Sequence, residues 1–338
     1  MGGAVFLGGM NMSLTGKFEQ LMRKYAYFTP YYSRKAGLSP EEPEIYNKFG
    51  ERMRIYFISD REFAHTPYWP GRTENRYILW DRYNFGLKTH FYSHYETFRT
   101  VGKPDRRYAM LIESRAVSPK SYAKFIRERR YIEGEFERVF TYDDEILGSF
   151  GNAEFVPFCA GYWYGAVDPE VRLDAENYAR KTRGVSVLSS NKNSCRLHRV
   201  RKAVARKCRD EGLADAYGTF DGGGWVKPEL TLRDYRYSVI IENDITPYFF
   251  TEKVTNCFAA QCIPVYLGAT RLGDFFDMGG VITFTEKEAD DIGRVLRQCT
   301  PKEYERRLPH VLENFRRVKE YANPCDYMYT RYLANVSP

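Results

Sequence analysis

No stretch of about 18 consecutive apolar residues occurs in this chain, which argues against a membrane-spanning helix. The seven cysteines, Cys159, Cys195, Cys208, Cys257, Cys262, Cys299 and Cys325, form no C-x-x-C pair. Their odd number and irregular spacing predict free thiols in a reducing compartment. Histidine is scarce, five in 338 residues. Only His90 and His94 stand four apart, a spacing that can share a helix face. The glutamate of an H-E-x-x-H site and a third ligand are both missing, so no metal site is expected. Neither the G-x-x-x-x-G-K-[ST] order nor a strand-following G-x-G-x-x-G is present, and Gly222–Gly224 reads as a plain flexible loop. Met1–Met12 are small and apolar but have no basic leading region, which counts against a secretory signal. A cytoplasmic protein is expected, with a peripheral membrane contact left open.

What is present is a globular composition: 43% hydrophobic, 28% charged and 16% aromatic. At about 100–200 residues per domain, 338 residues suit two domains. The 51 Lys and Arg against 44 Asp and Glu leave +7. That suits phosphate-bearing ligands or anionic surfaces without requiring either. The 28 Tyr and 23 Phe are the compositional surplus. Tyrosine at this density can present rings and hydroxyls to a sugar, or can be ordinary packing.

Along the chain, short apolar runs alternate with charged helical stretches. A helical stretch is expected at Phe18–Tyr27, then strands at Met53–Ser59 and Arg107–Ile112, and a helix at Lys120–Glu135. Strands at Arg138–Tyr142 and Phe155–Phe158 follow. After a charged linker the alternation restarts: strands Val185–Leu188, Ala214–Thr219, Tyr237–Ile241, Ile263–Leu267 and Val281–Phe284. Helices are expected at Leu197–Arg209, Thr251–Gln261 and Asp291–Gln298. Lys302–Tyr321 reads as a long helix interrupted at Pro309. This is α/β architecture in two successive units that face a shared cleft, where ligands bind beyond the carboxyl ends of the strands. The organisation expected is an N-terminal extension (1–50), a first unit (51–174), a second unit (175–300) and a C-terminal helix (301–338) packing back toward the first.

Several positions carry chemistry. The loop Ser189–Ser194, with Ser190 and Asn191, lies between a strand and a helix, where backbone amides favour an anion. Arg201 on the following helix can make a bidentate phosphate contact, or belong to a solvated basic face. Glu242 and Asn243 end an apolar strand and so reach the cleft. Thr251 is a natural N-cap. Lys253 is a cation in the first turn of a helix, where acidic residues are preferred; a bound anion would explain it. Glu113, directly after the strand RYAMLI, can act as a general base or be a structural carboxylate paired with Arg115 or an amide. Asp143 and Asp144 are read as helix caps.

The block Tyr235–Gly268, YRYSVIIENDITPYFFTEKVTNCFAAQCIPVYLG, resembles the signature of the α-1,3-fucosyltransferases, glycosyltransferase family ten. That signature runs Y-K-F-x-[IL]-x-F-E-N-S, then Y-[VF]-T-E-K, an apolar helix and [IV]-P-[IV]-x-x-G. Upstream, VLSSNKNSCRLHRVRKAVARKC resembles the family's S-N-x-N loop and arginine-bearing helix, with Arg201 on that arginine. LIESRAVSPKSY resembles its acceptor-domain segment, with Glu113 on the glutamate. The likeness spans about residues 107–285.

The resemblance implies a GT-B fold, two Rossmann-like α/β domains across a cleft. It implies an inverting transfer of a sugar, L-fucose from GDP-fucose, to a hydroxyl of a glycan acceptor, with no metal or other cofactor. Glu113 would be the base, and Arg201 and Lys253 would stabilise the diphosphate. Ser190, Asn191, Glu242, Asn243, Tyr248 and Glu252 would complete the donor site. Two departures stand out: Asp244 replaces the family's Ser or Thr, and Phe249 replaces a tyrosine, with Tyr248 one place earlier. Another donor, such as UDP-xylose or GDP-rhamnose, is the first alternative. A non-catalytic carbohydrate- or nucleic-acid-binding protein is the second, although no dense basic tract or RNA-binding motif supports nucleic acid. Trp69, Trp80, Tyr162, Trp163 and Tyr164 are candidate acceptor contacts.

Overall fold

A computed structural model of the chain describes residues 41–60, 74–166 and 173–336. The expected helix at Phe18–Tyr27, the apolar start at Met1–Met12 and Trp69 lie outside the described residues. Two sheets organise the rest. The first comprises β1 (Ile45–Tyr46), β2 (Arg52–Ser59), β3 (Ile78–Asp81), β4 (Thr89–Ser93), β5 (Arg106–Met110), β6 (Arg138–Thr141) and β7 (Ala153–Phe155). Its order is β1-β2-β4-β5-β6-β7, with β3 also on β2. Every pairing is parallel except β1 with β2.

The second sheet comprises β8 (Arg183–Leu188), β9 (Asp215–Tyr217), β10 (Tyr235–Ile241), β11 (Ile263–Leu267) and β12 (Ile282–Thr283), ordered β12-β11-β10-β8-β9 and parallel throughout. In order of appearance this is 2-1-3-4-5. Connections leave in opposite directions on either side of β8 and β10, and the crevice beyond their carboxyl ends is where such sheets hold ligands.

The helices are α1 (Pro119–Arg127), α2 (Arg129–Glu135), α3 (Asp144–Ser149), α4 (Arg196–Asp210), α5 (Glu252–Ala259), α6 (Glu286–Ala289), α7 (Ile292–Leu296), α8 (Pro301–Val318) and α9 (Pro324–Met328). On α4, Leu197, Arg201, Val204, Ala205 and Cys208 are buried. Their three- and four-residue spacing is the stripe of a helix lying on a sheet. Arg201 falls on that stripe, whereas Arg199 is exposed. Asp143 caps α3 by accepting from Ile146 N at 3.1 Å.

Four expectations need correction. The helix expected over Lys120–Glu135 breaks at Glu128 into α1 and α2. The strand expected at Phe155–Phe158 is β7, and Phe158–Ala160 is a 3-10 turn. His90 lies in β4 and His94 begins the turn after it, so the two share no helix face. α8 runs unbroken through Pro309. Pro309 and Glu305 are both exposed, so water can satisfy the carbonyl that the proline leaves without a donor.

The end of the chain returns to the first sheet. Asp326 accepts from Arg76 N at 2.8 Å, Asn323 Nδ2 donates to Asn75 Oδ1 at 2.9 Å, and Tyr332 Oη donates to Phe155 O at 2.9 Å. One continuous apolar core joins Tyr56, Phe91 and Tyr108 of the first sheet to Val254 and Phe258 of α5 and to Tyr321 and Met328 near the terminus. Much of the tyrosine surplus is spent on packing: Tyr92, Tyr108, Tyr122, Tyr142, Tyr164, Tyr235, Tyr237 and Tyr266 are fully buried. Trp80, Tyr162 and Tyr164 are core residues too, so they are not acceptor contacts. On α8, Arg306 and Arg307 pair with Glu303, and Arg316 and Arg317 with Glu313. Its basic face is locally neutralised. All seven cysteines are free. Among the described residues no helix is long and apolar enough to cross a membrane.

Burial pushes His90 and His94 down to about 3 and His198 down to about 4, from an ordinary value of 6.5. The unfolded chain therefore binds more protons below pH 6.5, and each ring lowers stability by up to about 1.4 kcal/mol per pH unit as pH falls. Asp326, raised by burial to about 6, acts in the opposite sense over a narrower range. Urea midpoints are expected to drop between pH 7.5 and pH 5; equal midpoints would contradict this account.

Candidate active site

The site is built at the carboxyl ends of β8 and β10. β10 closes on the apolar run Val239–Ile241, and the next residue is Glu242, whose carboxylate is fully buried. Glu242 Oε1 accepts from Thr251 N at 2.9 Å, and Oε2 accepts from Thr251 Oγ1 at 2.7 Å. Thr251 is in turn the N-cap of α5 and accepts from Lys253 N at 3.3 Å and from Lys253 Nζ at 3.0 Å. The strand end thus grips the helix start, and the grip places the ammonium. Lys253 Nζ also reaches Glu252 Oε1 at 3.2 Å and Glu242 Oε2 at 3.7 Å. Burial works against its charge, but Glu252, Glu242 and Glu113 together hold its pKa above the ordinary value. Burial raises Glu242, against the pull of Lys253. With both oxygens on Thr251 and no exposure, Glu242 faces the cap and not the crevice. It is not a donor contact, contrary to expectation.

Gly268 explains why β11 ends as it does. A Cβ there would lie 2.5 Å from Glu242 Cγ and 2.7 Å from Tyr266 Cζ. The glycine closing the I-P-V-Y-L-G run therefore lets the backbone lie against the buried carboxylate. At the far end of α5, Gln261 takes φ +55°, and Cys262 N donates to Cys257 O at 2.8 Å, a Schellman closure. Its side chain donates to Asp174 O and Ala175 O. Asn256 Oδ1 accepts from Trp163 N and Tyr164 N. Helix α5 is thus clamped to the segment that joins the two sheets.

Arg201 is 6% exposed. Its Nε donates to Ile241 O at 2.8 Å and its Nη2 to Asn243 Oδ1 at 3.0 Å. Burial lowers its pKa, while Glu242 works the other way. His198 Nε2 also meets Asn243 Oδ1, at 3.1 Å. The Asn243 side-chain oxygen is thus taken twice. His198 was not singled out from the sequence, although it stands three residues before Arg201 on the same stripe. Cys195 occupies the N-cap of α4 with no side-chain cap bond, and its thiol donates to Asn243 O at 3.3 Å. The first amides of this 15-residue helix are thus left uncapped toward the loop. In that loop Asn191 N donates to Thr219 Oγ1 at 3.1 Å, and Asn191 is exposed while Ser190 is half-buried. Gly218, at φ +104°, itself lies against the Ser189 carbonyl, where a Cβ would clash. Gly222–Gly224 are exposed, with open space around Gly222 and Gly224.

The first sheet supplies the facing wall. Glu113 follows β5 and is half-buried; its Oε1 accepts from Ser114 N at 2.8 Å. Arg115 does not pair with it: its Nε and Nη2 clasp Asp143 at 3.0 and 2.6 Å. Glu113 lies within electrostatic reach of Lys253 and also pushes up the Cys159 thiol, whose rise is chiefly due to burial. Asp244 reaches across the cleft. Its Oδ2 accepts from Ala116 N in the Glu113 loop at 2.9 Å, and its Oδ1 from Ile245 N at 3.0 Å. The carboxylate that departs from the family pattern is therefore an interdomain tie. Phe249 and Phe250, each 1% exposed, are not pocket lining. Phe249 packs on Tyr142 of the first unit, with centroids 4.8 Å apart, and Phe250 packs among Phe275, Phe276 and Tyr321. Tyr248 accepts from Arg271 Nη1 at 2.8 Å. Arg201, Asn243, Glu252 and Lys253 gather beyond the end of β10, with Glu113 within electrostatic reach of Lys253; Ser190 and Asn191 lie in the loop after β8, Glu242 is buried against the cap of α5, and Tyr248 is held by Arg271. Among the described residues no cluster of His, Cys, Asp or Glu could hold a metal ion.

No family model and no curated protein sequence matches the chain. Solved structures do. HepE from Anabaena, in complex with UDP-glucose, is similar at TM-score 0.51 and 8% identity over 74% of this chain and 79% of that one. The same protein with UDP and glucose gives 0.51 and 9% over 84% of this chain and 100% of that one. An α1,3-fucosyltransferase with GDP gives 0.48 and 13% over 95% of this chain and 98% of that one. The fold is GT-B, a mixed α/β architecture of parallel sheets.

Gly268→Ala is expected to drive a methyl group into Glu242 and Tyr266 and to cost about 1–3 kcal/mol in urea unfolding. Gly224→Ala, with nothing within 4 Å of the added carbon, is the control and should change little. Equal stability of the two variants would refute the close-approach role of Gly268.

Proposed function

We propose that the chain is a nucleotide-sugar-dependent glycosyltransferase, and more narrowly an inverting transferase of L-fucose from GDP-fucose to a glycan hydroxyl. The observation that carries this reading is one geometry. Lys253 and Arg201 stand at the switch point of the second sheet, and Glu113, in a loop of the first sheet that Asp244 holds at Ala116, lies within electrostatic reach of Lys253. The finer assignment of donor rests on the resemblance of Tyr235–Gly268 to family ten.

In this mechanism the donor diphosphate lies against the open amides of α4 and the start of α5. Lys253 and Arg201 neutralise it, and the Asn243 amide donates to it or to the sugar. The acceptor oxygen attacks the anomeric carbon from the first-sheet side. Its proton passes to Glu113 as the new bond forms. The bond from the anomeric carbon to the diphosphate oxygen breaks, and its electron pair leaves with the diphosphate. Negative charge builds on that oxygen in the transition state, so two cations fixed there stabilise it more than the ground state. Such neutralisation requires no divalent metal, and transfer in EDTA is expected to continue.

Glu113→Gln is expected to retain donor affinity and to lose about 10²–10⁴-fold in transfer rate, measured by product formation. Near-normal turnover would remove Glu113 as the base. Lys253→Ala is expected to lose about 10²-fold or more in kcat/KM while remaining folded. A thermal-shift screen of GDP-fucose, GDP-rhamnose, UDP-xylose and UDP-glucose identifies the donor, since a ligand at 100 times its Kd adds about 2.7 kcal/mol. No response to any of these, with steeply salt-dependent binding to single-stranded nucleic acid, would favour a binding protein instead.

A further inference from the structure

The amides leading into Glu113 have a side chain, not a neighbouring strand, as their partner. β4 and β5 run in parallel register with Ser93 beside Met110. β4 ends there, while the chain after β5 continues to Ile112 and Glu113. Their buried amides still need acceptors. The residue after β4 is His94, at φ +46°. This left-handed conformation is uncommon outside glycine and costs about 1–3 kcal/mol. Thr97 Oγ1 donates to the His94 carbonyl at 2.6 Å and braces the turn. The turn carries the ring beneath the end of β5. There Nε2 accepts from Ile112 N at 3.0 Å and from Glu113 N at 3.2 Å.

An Nε2 that accepts two N–H groups carries no proton, so the proton is on Nδ1 and points to Ser121 Oγ of α1, 3.2 Å away. The tautomer is assigned from this network. The ring is 1% exposed, and burial holds its pKa at about 3. His94 is therefore neutral at any working pH, and its basic lone pair is occupied. It cannot serve as the proton acceptor itself. Glu113 is held at its other backbone atom too, since Tyr122 Oη donates to its carbonyl at 2.9 Å.

We propose that His94 is a positioning residue for transfer: its neutral ring takes the two amides entering Glu113 and so fixes the carboxylate at the cleft edge. This rests on the reading of Glu113 as the base. The chemistry favours a neutral imidazole here. It offers one acceptor at the end of a rigid ring, and a second nitrogen that anchors the ring to α1. A misplacement of about 1 Å in a reacting group can cost about 10²-fold in rate, which gives the strained turn a purpose beyond chain reversal.

The test compares His94→Leu, His94→Gln, Glu113→Gln and the double variant His94→Leu/Glu113→Gln, with kcat and donor KM measured separately. His94→Leu is expected to lower kcat by about 10–100-fold with donor KM within about twofold. His94→Gln, whose Oε1 can accept the same amides, should recover most of the loss. The double variant should be no slower than Glu113→Gln alone. If His94→Leu slows the Glu113→Gln enzyme by the same factor as the wild type, or if His94→Gln is as slow as His94→Leu, the proposal fails while the base assignment stands. Near-normal turnover of Glu113→Gln would instead fail the base assignment and the proposal together. Should His94→Leu not fold, Ser121→Ala replaces it. Loss of the Nδ1 anchor is expected to lower kcat several-fold at unchanged donor KM, and unchanged kcat would overturn the proposal.

Discussion

A single buried carboxylate organises the second half of this molecule. Glu242 has no contact with solvent, and an uncompensated charge at such depth would be prohibitive. The compensation is specific: an amide and a hydroxyl from Thr251 and an ammonium from Lys253. Each partner belongs to the start of α5, so satisfying Glu242 sets where α5 begins and where Lys253 points. Gly268 gives the carboxylate room, and the Gln261 closure with the Asn256 contacts holds the rest of the helix against the joining segment. The cation is thus a consequence of a buried acid that had to be paired.

The same economy of contacts closes the cleft. Asp244, one residue beyond the Asn243 that meets Arg201, accepts from Ala116 in the loop of Glu113. Phe249 enters the core of the first unit, and the chain end returns to strand β7 through Tyr332. The two sheets therefore meet through a polar tie at the site and an aromatic core behind it. A tie between main-chain amide and carboxylate also places the facing groups in register.

Much of this was legible along the chain. Strands β8, β10 and β11 stand out as short apolar runs, and their parallel order follows from the alternation with helices. Lys253 stands out because a cation is unexpected in the first turn of a helix, and Arg201 because it follows a polar loop at the start of a helix. Glu113 was found because it ends an apolar strand. Strands β3 and β4 were missed. ILWD and THFYS are short, show no clean alternation, and include His90, which is buried in spite of its polarity. The helix through Pro309 was cut because sequence rules register the missing amide but not that the orphaned carbonyl faces water.

Residue type and spacing were enough to indicate two runs of α/β alternation and to single out Glu113, Arg201 and Lys253 as candidates at strand and helix ends. These properties depend on neighbours three or four places away and on strand ends, which are local. Three-dimensional packing settled the rest: that Glu242 faces a helix cap, that Asp244 ties the halves, that Phe249 and Phe250 are core, and that His94 serves the amides of Glu113. Each of these pairs residues from 9 to more than 100 positions apart. Hydrogen-bond satisfaction in a dry interior selects such partners only after the sheets have brought them together.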